Sequence, residues 1–224
     1  MQVIMLGPLM LKYSLLMMIV AVAAGYWTAL TRIRHLETVT RKNVMDDLLT
    51  TLLIGILVWK FSTIIFDFKS VIRSPLSLLY YSGGMPGVIF AVVTGFIILA
   101  YKCFRYRKAW VLYANTALTW LMSGYAVLSL LRFILKDGGI PAVSCALASA
   151  CVVVYQFRHK EQLYSTYHLN VTVLWTGLAL FASSLLDKAH DPVWLGIGSM
   201  QLFLIFVSIL SLVLKVIQEK RKPL

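Results

Sequence analysis

Acidic residues, cysteine and proline are all scarce in this chain of 224 residues. Aspartate and glutamate together number nine, cysteine three and proline six. Charged residues of both signs make up 13% of the sequence, against about 25% in an ordinary soluble domain. So little charge excludes both a soluble globular domain and a disordered chain. Three cysteines are too few for a small disulfide-stabilised scaffold.

Apolar and basic residues dominate what the chain does contain. Hydrophobic side chains account for 60% of the sequence and the mean hydropathy is +0.82, whereas about 45–50% apolar residues is usual. The net charge is +12, but the basic residues stand in short clusters between apolar runs. That pattern is typical of membrane topology and not of nucleic-acid binding. The composition therefore predicts a multi-spanning membrane protein.

Seven apolar segments have about the length that a membrane-spanning helix needs, which is roughly 17–25 residues. We predict spans over residues 6–30, 47–66, 84–100, 111–135, 139–157, 165–186 and 193–216. The first segment has no positively charged leader and is longer than the apolar part of a signal peptide, so we expect it to be retained as a helix. The predicted fold class is an all-α polytopic membrane protein with seven transmembrane helices.

The distribution of lysine and arginine predicts the orientation of these helices. Fourteen of the 21 basic residues follow the odd-numbered segments and five follow the even-numbered ones. Because cytoplasmic loops are enriched in lysine and arginine, we expect the N-terminus outside and the C-terminus in the cytoplasm. The longest loops, 31–46 and 67–83, are too short to fold alone. Residues 1–224 therefore form a single predicted membrane domain without a soluble head.

Two lysines fall inside predicted spans and outside the basic clusters that follow them. Lys60 lies past the middle of the second segment, and Lys12 lies early in the first. A buried cation in lipid is costly unless it is paired or reaches water. Each lysine therefore either contacts an anion such as a lipid phosphate or extends its ammonium group to the interface. Asp67 is a candidate partner for Lys60.

The remaining polar residues in the segments suggest little chemistry. Asp46 and Asp47 open the second segment, where acidic side chains complement a helix dipole. His168, in the sixth segment near Tyr164, is the histidine that we consider as a general base. The chain shows no metal-ligand spacing and no phosphate-binding or dinucleotide-binding glycine motif. We therefore expect neither a metal nor a cofactor.

A glycine-rich string between the second and third spans is the most distinctive local pattern. It reads Tyr80-Tyr81-Ser82-Gly83-Gly84-Met85-Pro86-Gly87. Interfacial aromatic residues and glycine-rich backbone predict a segment close to the membrane surface, where exposed backbone N–H groups can meet a phosphate. Gly83, Gly84 and Met85 therefore join Lys60 and Lys12 as predicted lipid contacts.

Several motifs, taken in order along the chain, resemble those of the bacterial prolipoprotein diacylglyceryl transferase family. The family carries an opening I-G-P motif, a P-L pair, a W-x-G-G-M motif, then Q-L-Y-E and finally S-M-G-Q. The corresponding strings here are Leu6-Gly7-Pro8, Pro75-Leu76, Tyr81-Ser82-Gly83-Gly84-Met85, Gln162-Leu163-Tyr164-Ser165 and Ser199-Met200-Gln201. Lys60 falls on the arginine of the family's G-R-x-G-Y run in the second span.

The resemblance implies a seven-span protein of the bacterial plasma membrane, with its N-terminus outside. Members of the family transfer diacylglycerol from phosphatidylglycerol to the lipobox cysteine of prelipoproteins. For this chain the resemblance therefore implies phosphatidylglycerol as a lipid ligand and a prelipoprotein, or another membrane protein, as a partner.

The positions of the family's catalytic residues are occupied differently in this chain. The histidine proposed as a base in the family falls on Val88, and the arginine of the fourth span falls on Ser129, with Arg132 one turn later. The late arginine and glutamate fall on Leu180 and Ser184, and the family's periplasmic head is absent. Valine cannot accept a proton and leucine cannot hold a phosphate, so the family mechanism lacks both its base and its charge stabilisation.

Three hypotheses about function follow from the sequence. The first is a non-catalytic relative that binds phospholipid or lipoprotein as an accessory protein. The second is an active diacylglyceryl transferase whose catalytic residues have relocated, with His168, Tyr164 and Arg132 as the residues to test. The third is a transporter component, which is disfavoured because the spans hold few polar residues and no paired broken helices.

Overall fold

The computed structural model describes residues 3–6, 9–66, 84–135, 138–186 and 198–220, and within them seven α-helices follow a short β-hairpin. The strands are β1 (Val3–Leu6) and β2 (Leu9–Lys12). The helices are α1 (Tyr13–Arg32), α2 (Thr38–Phe66), α3 (Gly84–Arg105), α4 (Trp110–Ile134), α5 (Gly139–Arg158), α6 (Thr166–Ser184) and α7 (Ser199–Lys220). A 3-10 turn, Lys160–Gln162, connects α5 to α6. Each helix overlaps one of the seven apolar segments, with different bounds.

The first helix starts later than the sequence predicts. Strands β1 and β2 form an antiparallel pair in which Val3 is opposite Lys12 and Leu6 is opposite Leu9. The backbone of Lys12 therefore belongs to a strand and not to a span, which corrects the expectation that the first helix begins near Leu6. The sequence between the two strands is Gly-Pro, and a proline interrupts the hydrogen bonding of a helix.

The second helix starts earlier than the sequence predicts. It begins at Thr38 instead of Asp47, and the backbone N–H of Arg41 bonds to the Glu37 carbonyl at 2.9 Å. Its first turns carry charged side chains, so hydropathy alone does not reveal them. Asp47 consequently lies in the third turn and not at the helix N-terminus, and the expected role in complementing the dipole does not apply to it.

Four helices of the described chain are long and apolar enough to cross a membrane. They are α3, α4, α5 and residues Ser199–Gln218 of α7. Helix α1 adds a shorter apolar stretch, Leu16–Arg32. A chain with this set of helices belongs to the helical membrane proteins.

The helices pack as two compact units. The smaller unit, residues 36–113, contains α2, α3 and the first residues of α4. Here α2 and α3 run antiparallel, with Gly95 at the level of Thr51, Gly55 near Ala91 and Gly87 against Ser62. Glycine at these positions lets the two backbones approach closely, as is common between membrane helices.

The larger unit, residues 1–35 and 114–224, contains the hairpin, α1, most of α4, and helices α5 to α7. Helix α6 packs against both α5 and α7, and Gly177 of α6 lies against Ser208 of α7. Helix α1 packs against α4, where Gly124 meets the Ala21 carbonyl. These contacts place α1, α4, α5 and α6 around a common interior.

The interior of the larger unit contains many polar side chains, whereas its surface is apolar. Its most buried side chains include Arg32, Asn115, Gln156, His168 and Thr172, each at most 1% exposed. Large apolar side chains on its outer surface include Ile140, Leu147, Trp175, Phe203 and Phe206, each at least 55% exposed. Such an apolar surface over an interior rich in polar side chains suits a helical bundle in lipid. The sequence argument against a transporter assumes that the spans hold few polar residues, but the interior contains more polar side chains than that argument assumes.

Candidate functional site

The contact between α1 and α4 fixes the position of the last turn of α1. Gly25 lies against Trp120, whose indole N–H donates to the Val22 carbonyl at 3.1 Å. One turn later, the Thr28 hydroxyl donates to Ser123 Oγ. Arg32 follows Thr28 by four residues, so its side chain leaves α1 on the same face and extends along α4.

The buried guanidinium of Arg32 is the centre of the candidate site. Arg32 is 1% exposed. Its Nη1 donates to the Asn115 carbonyl at 3.0 Å and to Thr119 Oγ1, and its Nη2 lies 3.4 Å from Nε2 of His168. Its Nε has no hydrogen-bond partner, and no carboxylate among the described residues forms an ion pair with it. Within the described part of the chain, the site therefore holds a buried cation without a counter-charge.

His168 forms the second side of the site, at the start of α6. Ser165 caps this helix, since its Oγ accepts the backbone N–H of His168 at 3.2 Å. The His168 ring stacks on Tyr155 of α5 with 5.4 Å between the ring centroids. The His159 ring centroid is also 5.4 Å from that of His168. This aromatic layer fixes the orientation of the imidazole toward Arg32.

Two buried amides leave further polar atoms unsatisfied in this unit. Asn115 donates from Nδ2 to the Leu163 carbonyl at 2.9 Å, but its Oδ1 has no partner. Gln156, which is fully buried, has no partner for either amide atom. A buried polar group without a hydrogen bond costs about 1–3 kcal/mol. Such groups beside an uncompensated cation are typical of a site that holds a polar ligand or water.

The arrangement can bind an anion more readily than it can move a proton. A guanidinium offers several N–H donors in a fixed plane, which matches the oxygens of a phosphate or carboxylate. When His168 Nε2 accepts a hydrogen bond from the Nη2–H of Arg32, that nitrogen is occupied and does not act as a free base. The geometry therefore favours anion binding.

Of the three predicted catalytic candidates, His168 alone lies in the site. Tyr164 is 54% exposed, one residue after Leu163, whose carbonyl accepts from Asn115. Arg132 is exposed and follows Asn115 by 17 positions on α4, which corresponds to about 25 Å along the helix axis. The structure does not bring Arg132 and His168 together.

The predicted lipid contacts lie in other parts of the fold. Lys60 of α2 and Met85 of α3 come to the same level of the smaller unit, because Gly87 lies against Trp59 and Ser62. Gly84 begins α3 with a left-handed φ of 57°, which glycine adopts without strain. The backbone of Lys12 ends strand β2, and Gly83 lies outside the described residues. Their roles in lipid binding stay predictions.

At three positions where the transferase family has a catalytic histidine or arginine, this chain has two apolar side chains and one serine. Val88 is exposed on α3, Ser129 is buried on α4, and Leu180 is half-buried on α6. None of the three takes part in the Arg32 site.

A second polar cluster lies in the smaller unit, around Asp47. Its carboxylate bonds to Lys102 at 3.0 Å and to Lys108, and it accepts the Tyr113 hydroxyl at 2.8 Å. The Lys108 ammonium also lies 5.4 Å from the centre of the Tyr106 ring. This cluster ties α2 to the end of α3 and the start of α4, which is a structural role.

Sequence reasoning did not identify Arg32 or the Asp47 cluster. By sequence, Arg32 belongs with the basic residues that follow the first predicted span, although it also follows Thr28 by one helical turn. That spacing is the signal that could have placed it on the buried face of α1.

The described residues contain no group of three or more histidine, cysteine, aspartate or glutamate side chains that could hold a metal ion.

The fold and this site define a helical membrane protein with a buried basic centre. No protein-family model matches the chain, and no curated protein is significantly similar to it. The resemblance to prolipoprotein diacylglyceryl transferases thus stays a prediction from the motifs, and the function has to be argued from the site.

Proposed function

We propose that this chain is a non-catalytic polytopic membrane protein that binds the anionic headgroup of a phospholipid at Arg32. The buried guanidinium, with no carboxylate paired to it in the described chain, is the observation that carries this proposal. A buried charge is stable only when an opposite charge or strong hydrogen bonds compensate it. A headgroup phosphate supplies both and fits the planar guanidinium.

The position of Arg32 in the chain favours a lipid as the source of the phosphate. Arg32 ends α1, and the distribution of basic residues predicts that this end faces the cytoplasm. Headgroups of the cytoplasmic leaflet are at this depth, and many of them are anionic. In this proposal, each of the seven helices spans the membrane once and the N-terminus lies outside.

The bacterial plasma membrane and the prolipoprotein diacylglyceryl transferase family are the setting that we propose. The ordered motifs support the family, and Val88, Ser129 and Leu180 at its catalytic positions support a role without catalysis. Binding of phosphatidylglycerol, or of a lipoprotein anchored beside it, would then assist another membrane protein.

Lipid analysis of the purified protein tests this function. The wild type and the Arg32→Gln variant are extracted in mild detergent, and the retained lipids are identified by mass spectrometry. We expect the wild type to retain anionic phospholipid and the variant to retain at least tenfold less. Arg34→Gln is the matched control, because Arg34 is exposed two residues away and should retain lipid as the wild type does. Equal retention by wild type and Arg32→Gln would refute headgroup binding at Arg32.

An active transferase is the second candidate, because a headgroup bound to the N–H groups of Arg32 would release Nε2 of His168, 3.4 Å from Arg32 Nη2, to act as a base. Incubation with phosphatidylglycerol and a lipobox peptide distinguishes the two functions. Our proposal predicts no diacylglyceryl-peptide above a no-protein control. Product that disappears in the His168→Gln variant would establish the transferase instead.

A further inference from the structure

Unsatisfied polar side chains continue beyond the Arg32 site, among the buried residues of the neighbouring helices α5 and α6. Ser149 and Gln156 lie on the buried face of α5, at 1% and 0% exposure. Neither the Ser149 hydroxyl nor the two amide atoms of Gln156 have a hydrogen-bond partner, and the Thr176 hydroxyl on α6 has none either. We call these three residues the α5–α6 seam.

The seam extends from the level of the Arg32 site toward the middle of the helices. The Tyr155 ring stacks on His168, so the neighbouring Gln156 is at the level of Arg32 and His168. Thr176 follows His168 by two turns on α6, and Ser149 precedes Gln156 by two turns on the antiparallel α5. At about 1.5 Å per residue, both lie roughly 10–12 Å deeper.

The seam differs from the ordinary use of serine and threonine in membrane helices. Such hydroxyls normally bond to a carbonyl one turn earlier, as Thr172 does to His168 at 2.8 Å and Ser183 does to Ala179 at 2.9 Å. Ser149 and Thr176 do not. A glutamine amide without any partner is still less compatible with a dry helix contact, because it leaves both donors and acceptors unsatisfied.

We propose that a chain of bound water occupies the α5–α6 seam and connects it to the Arg32 site. Water satisfies a donor and an acceptor at once, and a buried polar cavity with several unsatisfied groups is where it binds. The seam is then a hydrated passage that admits a neutral hydroxyl-bearing group about two helical turns into the bundle. This inference does not depend on headgroup binding at Arg32.

Reaction of a thiol in the seam with a hydrophilic reagent tests the passage. The Ser149→Cys variant is treated in membranes with the small, neutral, hydroxyl-bearing hydroxyethyl methanethiosulfonate, and the modification of each cysteine is quantified by tandem mass spectrometry. Native Cys151 is the matched control, because it lies two residues away on the outer surface of α5. A thiol in lipid stays protonated and reacts slowly, whereas a hydrated thiol ionises. We expect modification at position 149 at least tenfold faster than at Cys151, and equal or slower modification would overturn the proposal.

A stability measurement provides a second, independent test. If the seam is dry, Gln156→Leu removes two unsatisfied amide groups and should raise the unfolding temperature. If water fills the seam, the same variant loses hydrogen-bonded water, and the unfolding temperature should fall or stay unchanged. A rise would overturn the proposal. Repeating the thiol reaction in the Arg32→Gln background separates the two ideas, since we expect position 149 to react there even if lipid binding is lost.

Discussion

Arg107 has the least favourable backbone conformation of the described non-glycine residues. Its φ is 49°, in the left-handed region. It lies two residues after the end of α3, in a turn where the Lys108 N–H bonds to the Cys103 carbonyl at 2.9 Å. This position in a helix-ending turn usually holds glycine. The turn brings Lys108 to Asp47. This contact holds Arg107 in a backbone conformation that arginine disfavours.

We predict that Arg107→Gly stabilises the protein relative to Arg107→Ala. Both variants remove the same charge, but glycine alone adopts positive φ without strain, which is worth about 1 kcal/mol here. The midpoint of reversible denaturation in detergent measures the difference. Equal stability of the two variants would show that the turn is not strained.

Arg32 illustrates what the sequence can and cannot show at the level of one residue. Its position after an apolar run correctly indicates the end of a helix. Its burial depends on Asn115 and Thr119 of α4 and on His168 of α6, which are 83, 87 and 136 residues away in sequence. No local pattern encodes such contacts. Asp47 is similar, because its partners Lys102 and Lys108 are 55 and 61 residues away.

At the scale of the elements, the contact between α1 and α4 depends on a glycine. A Cβ added to Gly25 would lie 2.6 Å from the Trp120 carbonyl oxygen and would also meet the indole ring. We predict that Gly25→Ala destabilises the protein by about 1–3 kcal/mol, because the tightly packed contact must open. Gly55→Ala is the control, since its added Cβ meets only the Ala91 carbonyl oxygen, at 3.8 Å. If Gly25→Ala is as stable as Gly55→Ala, the two helices do not pack as described.

The Asp47 cluster is the polar link between α2 and α3. Asp47→Asn leaves two lysine ammonium groups without their counter-charge in a partly buried environment. We predict a loss of about 1–3 kcal/mol, smaller at high salt. Asp46→Asn, which removes an exposed neighbouring charge, should change stability by less than about 0.5 kcal/mol. Similar effects of the two substitutions in a denaturation experiment would contradict the proposed link.

The sequence predicts the helices well and their ends less well. Long apolar segments are recognisable because the bilayer fixes their length and polarity. Residues 38–46 of α2 are not recognised by hydropathy, since a polar extension of a helix has the hydropathy of a loop. Strand β2 is mistaken for part of a helix, because a strand and a helix of the same apolar residues have equal hydropathy.

At the scale of the whole molecule, the seven-span topology makes a prediction about sidedness. We expect the loops after α1 and α5 to face the cytoplasm and the segment 67–83 to face outward. In intact cells, an impermeant thiol reagent should modify the Ser74→Cys variant but not the His35→Cys or Lys160→Cys variants, and permeabilisation should expose the latter two. The reverse pattern would invert the orientation, and modification of all three in intact cells would refute the seven-span count.

The distribution of polarity connects the fold to the proposed function. Apolar side chains cover the larger unit, while Arg32, Asn115, Gln156 and His168 are inside it. Composition predicts the apolar surface, because most of the sequence is hydrophobic. The polar interior needs the packing of four helices and follows from no single segment.

Equilibrium binding of a short-chain phosphatidylglycerol to the purified protein tests the central claim most directly. Tryptophan fluorescence in detergent would follow the titration, with phosphatidylcholine as the zwitterionic comparison. We predict that Arg32→Gln weakens phosphatidylglycerol binding at least tenfold, which corresponds to about 1.4 kcal/mol, while Arg34→Gln changes it by less than about twofold, as expected for an exposed charge. Equal affinity of the wild type and Arg32→Gln, or equal affinity of the wild type for both lipids, would contradict an anionic headgroup site at Arg32.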